Sequence, residues 1–232
     1  MAACGSWVAQ GLLNAGVASA STVPKLKRMS PQATRVSVVG DSLTTGTVPY
    51  QASAFADVGF ERTTIDAFKS RGVRTKVKKD PHTGLTAVDG IRETAGDSQL
   101  WIVQLGTNDA GIHRKEQYPE LIWQMMDRIG AGHYVMWVNI YLPAKPQRQM
   151  SWNAALAGVA EQRPGEMFIL NWAALADQNP RWTSGDHIHC TPAGYKNRST
   201  AVATACDVLV PSTPIAPGPL DTRRPGLTVP SP

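Results

Sequence analysis

The sequence predicts an α/β fold in which a parallel sheet of five strands is covered on both faces by helices, a three-layer α/β/α sandwich. Three observations carry this. Five short runs are almost wholly apolar, as strands buried on both faces must be. Stretches with helical spacing or helix-forming composition separate them, the alternation that makes parallel sheets. At 232 residues and 42% hydrophobic, the chain can bury one sizeable domain core.

The first run spans 35–39, ending Val36-Ser37-Val38-Val39, and Gly40-Asp41 break it. A helix is expected within 47–58, held back by Pro49. Residues 62–67 alternate like a second strand, and a basic, irregular connection covers 69–81. A helix over 86–94 leads to the third strand, 100–105. Leu121, Ile122, Met125, Met126 and Ile129 recur at helical spacing within 116–129, before Gly130 and Gly132. The fourth strand is expected at 134–141, an Ala-rich helix at 151–162 and the fifth strand at 167–172. Pro192 suits the first turn of a last helix, 192–209. Trp101, Trp137 and Trp172 then fall in strands and read as core, and Trp123 and Trp152 pack from helices. Trp182 either lines a cleft or plugs the loop beneath it.

The ordered domain is expected over 34–210. Residues 1–33 read as an N-terminal extension, or as a signal-like segment whose basic start is missing, with Ala18-Ser19-Ala20 as the cleavage-like site. Export to the cell envelope or beyond is the expected location, with the cytoplasm as the alternative. Residues 211–232 hold seven prolines and no aromatic, which predicts a disordered tail. Three cysteines argue against a disulfide framework, though Cys190 and Cys206 can pair in an exported chain. No run of about 18 apolar residues exists to span a membrane. The net charge of +5, 23 basic less 18 acidic residues, is mild.

The chemistry is expected beyond the carboxyl ends of the strands, where open parallel sheets bind ligands. Ser42 follows strand one, at a strand-to-helix turn that exposes a hydroxyl beside free backbone N–H groups. Asn108, in Gly106-Thr107-Asn108-Asp109, follows strand three. In strand order 2-1-3-4-5 those two strands are neighbours and the two side chains converge. A serine hydroxyl needs a base. Asp186-His187-Ile188-His189 offers one, because the spacing lets Asp186 reach back to the His189 ring, fix its tautomer and stabilise the imidazolium. Asp41 is expected to brace the turn.

These three blocks, in this order, resemble the SGNH or GDSL hydrolase family, including its exported actinobacterial members, over about 35–209. The resemblance implies a flavodoxin-like fold, a Ser42–His189–Asp186 triad and hydrolysis or transfer of ester-linked acyl groups, with no cofactor or metal. It also implies an oxyanion hole made of the Ser42 N–H, a glycine N–H and the Asn108 amide. Loss of one such donor typically costs about 3 kcal/mol of barrier. Gly72 or Gly84 supplies the glycine. The substrate is an ester on a small molecule, lipid or glycan, and a monomer is favoured.

Competing functions are weaker. Asp186, His187, His189 and Cys190 are metal-ligand types, but they come from one short segment. Arg71-Gly72-Val73-Arg74-Thr75-Lys76-Val77-Lys78-Lys79 carries five basic residues in nine. It lacks the aromatic platform of single-strand nucleic-acid binders and reads as a solvated loop or a patch for anions. Gly96-Asp97-Ser98 repeats the serine motif, but before a strand, at the wrong end of the sheet. An inactive binding module on the same fold is the non-enzyme reading. No G-x-S-x-G elbow surrounds Ser42, which excludes an α/β-hydrolase.

Overall fold

Five parallel strands form one sheet in the order β2-β1-β3-β4-β5. They are β1 (Arg35–Gly40), β2 (Arg62–Ala67), β3 (Leu100–Gln104), β4 (Tyr134–Val138) and β5 (Met167–Leu170). This is a computed structural model, and it describes residues 35–209. The signal-like segment and the proline-rich tail expected from the sequence lie outside the described residues.

The strands are apolar throughout because each face meets helices. Along β3 and β4, Trp101, Val103, Val135 and Trp137 join one core. Leu100, Ile102, Tyr134, Met136 and Val138 join the other. This is the two-residue alternation of a pleated strand, masked in the sequence because both sides are apolar. Helices α2 (Gly84–Ala95), α4 (Tyr118–Ile129) and α5 (Pro146–Gln162) cover the first face. Helices α1 (Ser42–Asp57), α6 (Trp172–Gln178) and α7 (Pro192–Leu209) cover the second. The short α3 (Asp109–Ile112) lies in the loop after β3.

Several boundaries differ from expectation for local reasons. Helix α1 starts at Ser42, not near 47, because Asp41 caps it, its side chain accepting from the Leu43 N–H at 2.9 Å. Pro49 sits within α1 on its exposed side, where the missing N–H disturbs no buried packing. Strand β5 ends at Leu170, and Trp172 opens α6, with Asn171 accepting from the Ala174 N–H at 3.1 Å. The strand expected to reach 141 ends at Val138, where Asn139 instead bonds Asn171 and the Ala173 N–H. Trp172 is therefore core, but on a helix. Trp182 stacks on it with centroids 6.0 Å apart, which makes it a plug beneath the loop that follows.

Register places the site. Gly40 pairs with both Ala67 and Gln104, so β1, β2 and β3 end at a common edge. The chain must leave β1 and enter α1 within two residues. A Cβ on Gly40 would lie 1.9 Å from Thr44 Oγ1, so only glycine permits that turn. Cys190 and Cys206 are buried, and no disulfide joins the two. Among the described residues, no helix is long and apolar enough to cross a membrane.

Candidate active site

Ser42 occupies the first turn of α1, directly after the capping Asp41. Its N–H has no acceptor within the helix, as is general for first-turn amides. Its Oγ lies 2.9 Å from His189 Nε2. His189 Nδ1 lies 2.6 Å from Asp186 Oδ2. The loop between α6 and α7 thus brings carboxylate, imidazole and hydroxyl into one hydrogen-bonded line across 147 residues of chain.

That loop is tied shut by its backbone. Thr183 and Cys190 form an antiparallel bridge, and Ser184 N donates to the His189 carbonyl at 2.7 Å. His187 takes a left-handed φ of 57°, which reverses the chain and leaves its ring exposed and outside the line. Asp186 Oδ1 accepts from the N–H groups of Ile188 at 3.0 Å and His189 at 2.9 Å, and from Ser184 Oγ at 2.9 Å. The bond to the His189 ring, then these donors, hold the carboxyl well below the usual carboxylate range. Ser184 was not singled out from the sequence. Its only signal is its place two residues before an aspartate in a turn.

Asn108 borders the turn that carries Ser42. Its Nδ2 donates to Asp41 Oδ2 at 3.2 Å and to the Arg71 carbonyl at 3.0 Å. The amide therefore ties the β1 turn to the loop after β2. Both of its hydrogens are committed here, so offering one to a substrate oxygen means releasing one of these partners.

The two candidate glycines behave differently. Gly84 N donates to the Gly72 carbonyl at 3.0 Å, so its N–H is spent inside the fold. The Gly72 N–H has no acceptor among the described residues. A Cβ on Gly72 would sit 2.6 Å from Asp109 Oδ1. That carboxylate holds the next residue, accepting from the Val73 N–H at 2.9 and 3.2 Å.

The basic run is not one surface. Arg71 is buried, whereas Arg74, Lys76, Lys78 and Lys79 are exposed. Arg71 donates from Nε and Nη2 to Asp80 at 2.7 and 3.0 Å, from Nη2 to Asp66 Oδ1 at 2.8 Å, and from Nη1 to the Asp66 carbonyl at 3.0 Å. Asp66 also meets His82 Nδ1 at 3.0 Å. Burial lowers the Arg71 pKa, but Asp80 and Asp66 outweigh it and hold the guanidinium above its ordinary value. Nothing in the sequence marks Arg71 apart from its basic neighbours.

Beneath the site lie two buried carboxyls. Burial pushes Asp41 up to about 6, against the Leu43 N–H and the Arg198 charge. Burial pushes Asp109 up to about 7, and Asp41 adds to it. A carboxyl with a higher pKa folded than unfolded stabilises most below its ordinary value of 3.8 and loses that contribution as pH rises through about 7. The melting temperature is therefore expected to fall between about pH 4 and pH 7, and Asp109→Asn should flatten that fall. Calorimetric melts of both proteins across this range check it. Parallel curves would count against Asp109 as the titrating group.

Gly96-Asp97-Ser98 lies before β3, and Ser98 Oγ bonds Ser37 Oγ at 2.8 Å, far from His189 along the strand. Among the described residues, no group of three or more His, Cys, Asp or Glu is arranged to hold a metal ion.

Residues 38–196 match the GDSL-like Lipase/Acylhydrolase family. The chain belongs to that family. No curated protein sequence matches it. Among solved structures, TesA superposes with a TM-score of 0.61 at 18% identity, covering 76% of this chain and 99% of that one. The catalytic domain of Streptococcus pneumoniae peptidoglycan O-acetyltransferase A gives 0.56 at 18% identity, over 73% and 90%. The Sinorhizobium meliloti carbohydrate acetylesterase Est24 gives 0.56 at 17% identity, over 76% and 97%. At these identities the likeness shows the fold. The chain is thus a GDSL-like hydrolase with an α/β/α fold, and its structural neighbours include esterases and an acetyltransferase.

Proposed function

We propose that this protein hydrolyses carboxylic esters through an acyl-enzyme on Ser42. The observation that carries the reading is the unbroken hydrogen-bonded line from Ser42 Oγ through His189 to Asp186. His189 Nε2 takes the Ser42 proton as Oγ attacks the ester carbonyl. Asp186 keeps Nδ1 protonated and stabilises the imidazolium. The carbonyl oxygen becomes an oxyanion, met by the Ser42 and Gly72 N–H groups and by Asn108 Nδ2 as it leaves Asp41 or the Arg71 carbonyl. The tetrahedral intermediate collapses, and His189 returns its proton to the departing alkoxide. Water, deprotonated by His189, then releases the acid.

The same acyl-enzyme serves a transferase when another alcohol replaces water. O-acetyl transfer to, or deacetylation of, a cell-envelope glycan is the second reading. It is favoured by the O-acetyltransferase and carbohydrate acetylesterase activities of the pneumococcal and rhizobial neighbours.

A fluorophosphonate tests the first step. The intact mass of the wild type is expected to rise by one adduct, and Ser42→Ala should show none while keeping its circular dichroism spectrum. Stoichiometric labelling of Ser42→Ala would mean that another residue is the nucleophile. Turnover of p-nitrophenyl acetate by the wild type separates the enzyme from an inactive binding module.

A further inference from the structure

One side of the site carries a cluster of exposed cations. On the Gly72 and Asn108 side, Arg74, Lys76, Lys78 and Lys79 stand exposed on the loop after β2. Arg114 is exposed just after α3, and Arg148 on the first turn of α5. Specific contacts join these stretches into one arc. Thr75 Oγ1 lies 3.1 Å from His113 Nε2, tying the basic loop to the chain after α3. Arg148 Nη1 donates to the carbonyls of Ala110 at 2.5 Å and Gly111 at 2.7 Å, tying α5 to α3. Asn108 precedes α3 directly and bonds Asp41, the residue before Ser42, so the arc borders the turn that carries Ser42.

None of these six cations makes an ion pair among the described residues. Three arginines at the other edge of the sheet are paired instead. Arg92 meets Asp97 at 3.1 Å, Arg128 meets Asp89 at 2.8 Å, and Arg163 meets Glu166 at 3.3 Å. Those arginines lie at the last turns of α2 and α4 and just past α5, which in βαβ units is the opposite edge of the sheet. Along residues 72–79, 109–117 and 145–148 the exposed carboxylate is Glu116, since Asp109 is buried. Uncompensated cations gathered at one rim raise the local concentration of an anion there, and so its rate of capture.

We infer that this site selects esters carrying their own negative charge, a carboxylate or phosphate that the basic arc holds while the carbonyl reaches Ser42. This rests on the esterase reading and narrows its substrate class. The arc lies on the side of Gly72 and Asn108, so the anionic group points away from Asp186. An ester with an anion on the Asp186 side gains nothing from the arc.

Matched acetyl esters test it. 4-Acetoxybenzoate and 4-acetoxyphenyl phosphate carry an anion where 4-acetoxybenzamide is neutral, and the two anions separate carboxylate from phosphate recognition. At low ionic strength, kcat/KM for at least one anionic ester is expected to exceed that of the amide by roughly tenfold or more. In about 0.5 M salt the preference should shrink to within about threefold, because the screening length falls to a few ångströms. Arg74→Glu combined with Lys76→Glu should bring the anionic ester to the neutral one's value and leave the neutral ester unchanged. A wild-type ratio near one for both anions overturns the inference, as does a preference that survives charge reversal. Turnover of the neutral ester, with the fluorophosphonate adduct on Ser42, keeps the esterase reading standing in either case. Loss of all turnover together with loss of the adduct removes that reading and this one with it.

Discussion

His189→Ala is expected to lower kcat/KM for an ester by roughly ten-thousand-fold, with little change in melting temperature. The ring touches Ser42 Oγ at 2.9 Å and Asp186 Oδ2 at 2.6 Å, so its removal takes the base from the nucleophile and the partner from the carboxylate. Stability should be nearly indifferent. The ring is 44% exposed and Asp186 is 49% exposed, so a stranded carboxylate is met by water. Asp186→Ala should cost less than His189→Ala, because the imidazole remains beside Ser42. It also removes the acceptor for two backbone N–H groups, so the loop loses part of its hold on His189. The double variant should be no slower than His189→Ala alone, since the two act as one unit. Steady-state kinetics on p-nitrophenyl acetate, beside thermal melts, checks all three. A His189→Ala enzyme within tenfold of wild type would leave Ser42 without this base.

The three blocks were legible because each is a short string in a loop, two of them directly after strands and the third just before the last helix. The alternation of apolar runs with helical stretches fixes which edge of the sheet those ends share, and strand order then puts the turn of Asp41 and Ser42 beside the Asn108 loop. The details not legible from sequence are of two physical kinds. Boundaries were misjudged where a side chain caps or ends an element. Asp41 starts α1 five residues earlier than Pro49 suggests, and Asn139 with Asn171 ends two strands early. Partners distant along the chain were also hidden. The basic loop reads as a uniform charge run, yet Arg71 turns inward because Asp66 and Asp80, five and nine residues away, meet beneath it. The Gly72 and Gly84 alternative has the same origin. The sequence holds two glycines in one loop, and only the backbone pairing reveals that Gly84 spends its N–H on Gly72.

The buried Arg71 carries the largest expected effect on stability. Arg71→Met is expected to destabilise the fold by roughly 3–5 kcal/mol, because removing one member of a buried ion pair strands the other. The stranded group is Asp80, whose side chain is fully buried. Asp66 suffers less, being a quarter exposed and in reach of His82. Arg71→Lys should fall between, since a single ammonium cannot reproduce the fork that meets Asp80 through two nitrogens. Arg71→Met with Asp80→Asn should recover part of the loss, because the uncompensated charge is gone. The His82 N–H, which donates to Asp80 Oδ1 at 3.0 Å, keeps an acceptor in that variant. Urea unfolding reads these differences as shifts in midpoint at constant slope. The consequence reaches the chemistry through the backbone. The Arg71 carbonyl accepts from Asn108 Nδ2 at 3.0 Å, and the next N–H belongs to Gly72. A loop freed from Asp66 and Asp80 would misplace both donors proposed for the oxyanion. In the part-stabilised double variant, kcat should therefore fall further than KM rises, because oxyanion contacts form only in the transition state. An Arg71→Met midpoint equal to that of the wild type would mean that the buried guanidinium anchors neither the loop nor the site.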